Sequence, residues 1–245
     1  MQLFFTISTS GLLLLIQLAS GSRANQEDSP WILSLESNTS GLPPGFDDKF
    51  MATLGNGQLA VTPYLTSDSS MEPSIYMNCL YNGRSWTSHR ARIPNYANYL
   101  PVFNESSENA KTRFSLNLRK AEFEIEYNLT NFMVTHQVIV HRKFTNVLLN
   151  VFTAENKQIT GDSLQIKIDL DEGSTSNDIT STDILEMVLE DNKLGIQKLL
   201  YRCEETLEVE FEEYQNNSSS VCIAWTEPID IIVNGNDVSK IQKFS

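Results

Sequence analysis

The 245-residue chain is poor in cysteine. It has three, Cys79, Cys203 and Cys222, too few for a disulfide scaffold and without the Cys-x-x-Cys spacing of a zinc or redox centre. It lacks HExxH, a Walker A loop and GxSxG, so zinc-protease, P-loop and serine-hydrolase chemistry have no local support. Basic residues are scarce. Eighteen Lys plus Arg stand against 31 Asp plus Glu, a formal charge of -13. No Lys/Arg cluster offsets that balance, which argues against nucleic acid as a partner, because phosphate backbones attract basic faces. Glycine (11) and proline (8) are too few for a low-complexity chain. No stretch after residue 21 is long and apolar enough to span a bilayer, so no transmembrane span is expected.

The charge that is missing from residues 1–21 is informative. Gly11–Ala19 is a short apolar run, and Ser20-Gly21-Ser22 supplies small residues behind it. That order is the pattern of a secretory signal peptide, with cleavage expected after Gly21 and Ala24 as the alternative. The expected location is secreted or lumenal, including lysosomal. Five Asn-x-Ser/Thr sequons follow, at Asn38, Asn104, Asn128, Asn216 and Asn217, and each is a candidate N-glycosylation site. The last two overlap in a polar Asn-Asn-Ser-Ser-Ser run that reads as a hairpin tip. An odd cysteine count leaves at least one thiol without an intrachain partner. Cys203–Cys222 is one candidate bridge; three buried inert thiols are the other reading.

Period-2 alternation dominates the rest. Phe114, Leu116 and Leu118 share one face of their run. Phe123, Ile125, Tyr127 and Leu129 alternate with Glu122, Glu124, Glu126 and Asn128. Leu164, Ile166, Ile168 and Leu170 alternate with polar residues, and Leu207, Val209 and Phe211 with glutamates. Successive side chains of a strand point to opposite faces, so the pattern means sheets buried on one side. Val134–Val140, Val147–Phe152, Val221–Trp225 and Ile229–Val233 are further β-rich runs, and Gly55-Asn56-Gly57 reads as a tight turn. Only Asp183–Leu189 and Leu194–Tyr201 suggest helix. The expected fold is all-β: a large two-sheet antiparallel β-sandwich with one or two short helices. Two polar stretches, Asn82–Pro101 and Gly173–Thr182, read as long loops, the usual carriers of binding function.

Candidate chemistry is sparse. Glu122/Glu124/Glu126 and Glu208/Glu210/Glu212 invite a carboxylate-pair reading. Their spacing of two puts them on a solvent face, where nothing raises a carboxyl pKa. Asp169-x-Asp171-x-Gly173 opens like a calcium loop but lacks ligands at its fifth and twelfth positions, Gly173 and Thr180. His136 and His141 are five apart on a strand and so face opposite sides, which does not suit a shared metal. No metal and no cofactor is expected. The segment around His89 and Arg90, with Asn82, Arg84, Trp86 and Tyr96 nearby, mixes hydrogen-bond donors with aromatic rings. That mixture suits a carbohydrate, although the same side chains could equally hold the loop together.

At this point the residues resemble a known family. Asp48–Leu59, with its Gly55-Asn56-Gly57 turn, is similar to the opening strand and turn of the acid-trehalase-like glycoside hydrolases, family 65. Leu80-Tyr81-Asn82-Gly83 followed by Ser88-His89-Arg90-Ala91-Arg92-Ile93-Pro94 resembles a loop of one branch, the protein-glucosylgalactosylhydroxylysine glucosidases. Val140-His141-Arg142-Lys143-Phe144 with Val147-Leu148-Leu149 resembles that family's paired strands. The turn departs from the pattern in continuing Ala60-Val61-Thr62-Pro63.

The resemblance covers about Asp47–Val233. With the signal peptide read from residues 1–21, it gives an expected layout of an extension at 22–45, a family-65-like N-terminal sandwich at 46–236 and a tail at 237–245. It also implies that the catalytic (α/α)6 barrel, with its two carboxylates, is not in these residues, so no catalytic residue is assigned. The full enzyme would remove terminal α-glucose from glucosylgalactosyl-hydroxylysine with inversion. Acid trehalase activity and a stand-alone carbohydrate-binding sandwich are the alternatives. The expected partners are carbohydrate and the catalytic domain, and the expected substrate contacts are Asn82, His89 and Arg90.

Overall fold

The computed structural model describes residues 2–6, 13–17, 31–39, 41–47, 51–64, 74–78, 80–82, 89–104, 110–157, 163–171, 179–191, 195–206, 209–211, 214–217, 220–226, 231–234 and 241–244. Among them every regular element is a β-strand, and the strands pair antiparallel.

The largest sheet has six strands in the order Ile241–Phe244, Leu148–Asn156, Phe132–Val140, Glu122–Asn128, Lys111–Asn117, Ile32–Ser37. Four of these follow one another in the chain as a meander, which needs only short turns. The closing edges come from far away in sequence. The 22–45 extension supplies Ile32–Ser37, and the 237–245 tail supplies Ile241–Phe244. A three-stranded sheet of Tyr99–Phe103, Ser163–Leu170 and Ile231–Asn234 accompanies it. A smaller sheet joins Leu54–Gly55, Leu59–Val61, Ser74–Met77 and Ile93–Pro94. Gln2–Thr6 and Leu13–Gln17, within the expected signal peptide, pair with each other as a separate ribbon.

The alternation read from the sequence is what fills the core. Phe123, Ile125 and Tyr127 are buried, as are Phe132, Val134, Val138 and Val140 on the next strand. Leu164, Ile166 and Ile168 are buried on the three-stranded sheet. Both sets belong to one continuous cluster, and Phe103 meets Tyr127 edge to face at 5.2 Å. These are the two facing layers of a β-sandwich, each strand contributing every second residue.

The expected helices are not there. Leu185–Asp191 and Gly195–Thr206 are strands of a four-stranded sheet with Ile179–Ser181 and Ser220–Thr226. Segments of seven or eight residues are too short to hold a helix by themselves. Gly195–Thr206 instead finds hydrogen-bonding partners on both sides, and such pairing overrides a weak helical preference. Among the described residues Leu185–Asp191 is bonded on one side, and Leu185, Met187 and Val188 on it, with Ile184 just before it, are exposed. Cys203 and Cys222 stand opposite each other in this sheet and are bonded, S–S 2.04 Å. Cys79 lies outside the described residues.

Candidate functional site

Tyr81–Asn82 and His89–Arg90 form a two-stranded ribbon with Tyr81 opposite Arg90 and Asn82 opposite His89. The pairing continues where the Ala91 amide donates to the Leu80 carbonyl at 3.1 Å. The backbone therefore brings Asn82, His89 and Arg90 together. The side chains of Asn82 and His89, and residues 83–88, lie outside the description. Beyond the ribbon the chain stays extended: Arg90 exposed, Ala91 fully buried, Arg92 exposed, Ile93 fully buried. The two apolar residues anchor the segment in the core, and the two arginines rise from the opposite face.

That outer face forms a depression. Thr53, Ala60, Tyr76, Arg90 and Arg92 line an open concavity of about 550 Å3, within the size range of small-molecule sites, roughly 300–1,000 Å3. Strand register explains its shape. Gly55 pairs with Ala60, Ala60 with Tyr76, and Ser74 with Pro94. Continuing the last register places Arg92 opposite Tyr76. The row across the sheet is therefore Gly55, Ala60, Tyr76, Arg92, in which Ala60, with almost no side chain, lines the depression beside a phenol and a guanidinium. A Cβ on Gly55 would come within 3.2 Å of the Ala60 Cβ, so these two strands approach closely at this point.

The GNG turn beside the depression is held by Asn56. Its Oδ1 accepts from the Gln58 and Leu59 amides at 2.9 and 2.8 Å. Its Nδ2 donates to the carbonyls of His141 and Thr145, both at 2.9 Å. Gly57 takes a φ of +91°, a conformation glycine adopts without strain. His141 Nδ1 in turn accepts from the Lys143 and Phe144 amides. Asn56 and His141 therefore build the corner rather than supply chemistry. His136 lies inside the sandwich, fully buried. Its Nε2 is 2.7 Å from Asn150 Oδ1 and its ring stacks on Phe152 at 4.2 Å. Burial lowers its pKa to about 4 against the pull of the Asn150 hydrogen bond. No group of three or more metal-ligating side chains lies together among the described residues.

The glutamate face of Glu122–Asn128 is half-buried rather than open, a correction to the alternation reading. Glu124 accepts from Gln137 Nε2 at 2.7 Å. Desolvation raises the Glu122 pKa, with Lys120 opposing. Inverting hydrolysis needs two carboxyls about 6.5–9.5 Å apart across a substrate. Among the described residues, the depression's lining offers hydroxyl and guanidinium groups and no carboxylate. The side chains of Glu208, Glu210 and Glu212 lie outside the described residues. Arg92, Tyr76, Thr53 and Ala60 were not singled out from the sequence. The Arg-Ala-Arg-Ile alternation could have paired the two arginines, but Tyr76 joins them only through cross-strand register.

Three of the five sequon asparagines are described with side chains. Asn38, Asn104 and Asn128 are all exposed, and Asn104 Oδ1 accepts from the Gln165 amide at 3.0 Å. Asn216 and Asn217 lie on the strand Tyr214–Asn217, their side chains undescribed. No helix among the described residues is long and apolar enough to cross a membrane.

No family model matches the chain, and no curated protein matches it in sequence. Among solved structures, a human-microbiome protein described as a kojibiose phosphorylase is similar at a TM-score of 0.45 and 14% identity, over 86% of this chain and 34% of that one. The chain therefore spans about a third of that protein's length.

Proposed function

We propose that this chain is a non-catalytic, family-65-like N-terminal sandwich that binds carbohydrate at the Arg90 depression. One observation carries the reading. The three segments that resemble the family are scattered from Asp48 to Leu149, yet they meet at one corner. Asn56 of the first segment bonds the carbonyls of His141 and Thr145 in the third. Thr53 of the first and Arg90 and Arg92 of the second line one depression. Asn82 and His89 face each other in the ribbon beside it. Residues that resemble a motif and also build one concavity are candidates for a shared role in recognition.

In the full enzyme the scissile bond would be an α-linked glucose, with glucosylgalactosyl-hydroxylysine as the substrate. Two carboxylates outside these residues would protonate the leaving oxygen and activate water. The sandwich would hold saccharide near them. A secreted or lumenal location accords with the Cys203–Cys222 bridge, since disulfides persist in oxidising compartments, and with the exposed sequon asparagines. The test is calorimetric titration of the folded chain with glucose, trehalose and glucosylgalactose, repeated on Arg90→Ala. Saturable binding that the substitution abolishes is expected. No saturable binding to any of the three would sink the carbohydrate reading.

A further inference from the structure

The Cys203–Cys222 bridge lies where an outside reagent can reach it. The Cys203 amide donates to Thr182 Oγ1 at 3.0 Å, and the Cys203 carbonyl accepts from the Thr182 amide at 3.0 Å. Both main-chain groups of Cys203 therefore point away from Ser220–Thr226. Cys203 and Cys222 stand directly opposite in register, so they are a non-hydrogen-bonded pair of the ladder, the kind whose side chains come closest. Their Cα atoms are 4.0 Å apart. The bridge is a rung across one face of the sheet, not a tie between distant loops. The same two strands are also held by the ladder that runs from Leu199 opposite Thr226 to Glu205 opposite Ser220. Trp225, on the strand of Cys222, stacks on the buried Tyr96 at 4.3 Å. Tyr99 Oη donates to the Thr226 carbonyl at 2.8 Å. Ser220–Thr226 therefore stays docked when the two sulfurs part. The sulfurs are not equally accessible: Cys222 is exposed and Cys203 half-buried.

A disulfide exchanges when a thiolate reaches one of its sulfurs, and access decides which sulfur is attacked. A buried bridge has to wait for unfolding, a requirement that the exposure of Cys222 removes. We propose that this bridge is a thiol-exchange site of the folded protein, at which a small thiol adds to Cys222 while Cys203 leaves and then resolves the adduct. In the first step the external thiolate bonds to Cys222 Sγ, the Cys203–Cys222 bond breaks, and its electron pair departs on Cys203 Sγ as a thiolate. In the return step that thiolate attacks Cys222 Sγ and expels the small thiolate. If a second small thiolate attacks the small-thiol sulfur of the adduct instead, the products are the free small-molecule disulfide and two reduced cysteines. The ladder keeps Cys203 across from Cys222, so the return step is intramolecular and the adduct is short-lived while Cys203 is present. The proposal is independent of the carbohydrate reading.

The test incubates the folded wild-type chain with millimolar reduced glutathione at neutral pH, stops samples with acid and locates the adduct by peptide mass mapping. The adduct should lie on Cys222 in about tenfold or greater excess over Cys203, as unequal access requires. Between zero and about 1 M urea the exchange rate should change less than twofold, whereas exchange limited by unfolding would accelerate about fivefold or more. In Cys79→Ser/Cys203→Ser, where Cys222 has no thiol to displace its adduct, oxidised glutathione should leave a lasting adduct on Cys222. Adducts shared equally by Cys203 and Cys222, or formed first on Cys203, would overturn the order of the steps. A rate that climbs steeply with urea, no exchange in the folded chain, or glutathione on Cys79 with the bridge intact would overturn the site itself. The wild-type urea series decides the matter even if the double variant does not fold.

Discussion

His136 makes the sandwich acid-sensitive, and the size of the effect follows from its surroundings. Asn150 Nδ2 donates to the Ala97 carbonyl at 2.9 Å, so Asn150 Oδ1 must be the acceptor facing His136 Nε2 at 2.7 Å. That assigns the Nε2–H tautomer. Nδ1 is buried with no hydrogen-bond partner, and the ring is stacked on Phe152. A second proton would go to Nδ1, into a site that cannot solvate it. The folded pKa accordingly falls to about 4, against about 6.5 in an unfolded chain.

The sign is then fixed. Above about pH 6.5 both states hold a neutral ring. Between about 6.5 and 4 only the unfolded chain takes the proton, so stability is lost as the pH falls through that window. By pH 4.5 the loss amounts to about 2.5 kcal/mol, a large share of a typical domain's 5–15 kcal/mol. The perturbation to compare is His136→Gln, whose amide can still donate to Asn150 Oδ1 but does not titrate. Urea unfolding of both proteins at pH 7.5 and pH 4.5 reads the difference. The wild type should lose about 2.5 kcal/mol more than the variant over that interval. Losses equal within about 0.5 kcal/mol would refute the reasoning, because carboxylate titration is common to both proteins.

Three further outcomes are expected. Asn56→Ala removes four hydrogen bonds at one corner and should lower unfolding stability by about 2–4 kcal/mol in urea; a loss under 0.5 kcal/mol would mean the turn holds without its clamp. Reducing the Cys203–Cys222 bridge, which spans 19 residues of sequence, should cost about 3 kcal/mol, seen as a lower urea midpoint for Cys203→Ser/Cys222→Ser, and an unchanged midpoint would contradict it. Asn38, Asn104 and Asn128 should carry glycans when the chain passes through a secretory pathway. Intact mass before and after enzymatic deglycosylation checks this, and an unshifted mass would argue against the lumenal location.

Strand faces were the most legible part of this molecule. Phe123, Ile125 and Tyr127 alternate with glutamates, and burial follows the alternation because only one side of a sandwich strand meets the core. The glutamates themselves were misread as open to water. Neighbouring strands bring Gln137 over Glu124, and a pattern within one strand does not reveal what the next strand lays across it. Leu185–Asp191 and Gly195–Thr206 were the clearest failure. Their short apolar runs fit both periods, and their state is settled by pairing with each other and, for Gly195–Thr206, with Ser220–Thr226 and Ile179–Ser181, rather than by propensity. Of the three residues expected to touch a ligand, Arg90 lines the depression, while Asn82 and His89 are placed beside it by backbone pairing alone. Tyr76 and Ala60 could not be read from the sequence. They reach the depression through the ladder registers 60–76 and 75–93, which no local pattern encodes.

The exposed strand Leu185–Asp191 bears on how the protein behaves in concentrated solution. Among the described residues no strand pairs with its outer edge, and Ile184, Leu185, Met187 and Val188 stand exposed beside it. Such an edge is a template for another chain to add itself as the next strand. Asp183, Glu186, Glu190 and Asp191 lie in and beside the same stretch, and acidic flanks of this kind act as gatekeepers while they are ionised. With a pI near 4.6, colloidal repulsion between copies fades in mild acid, where the His136 effect is also loosening the sandwich. Neutral buffers should therefore keep the chain monomeric, and acidification should drive it toward ordered β-rich assemblies before the fold is wholly lost.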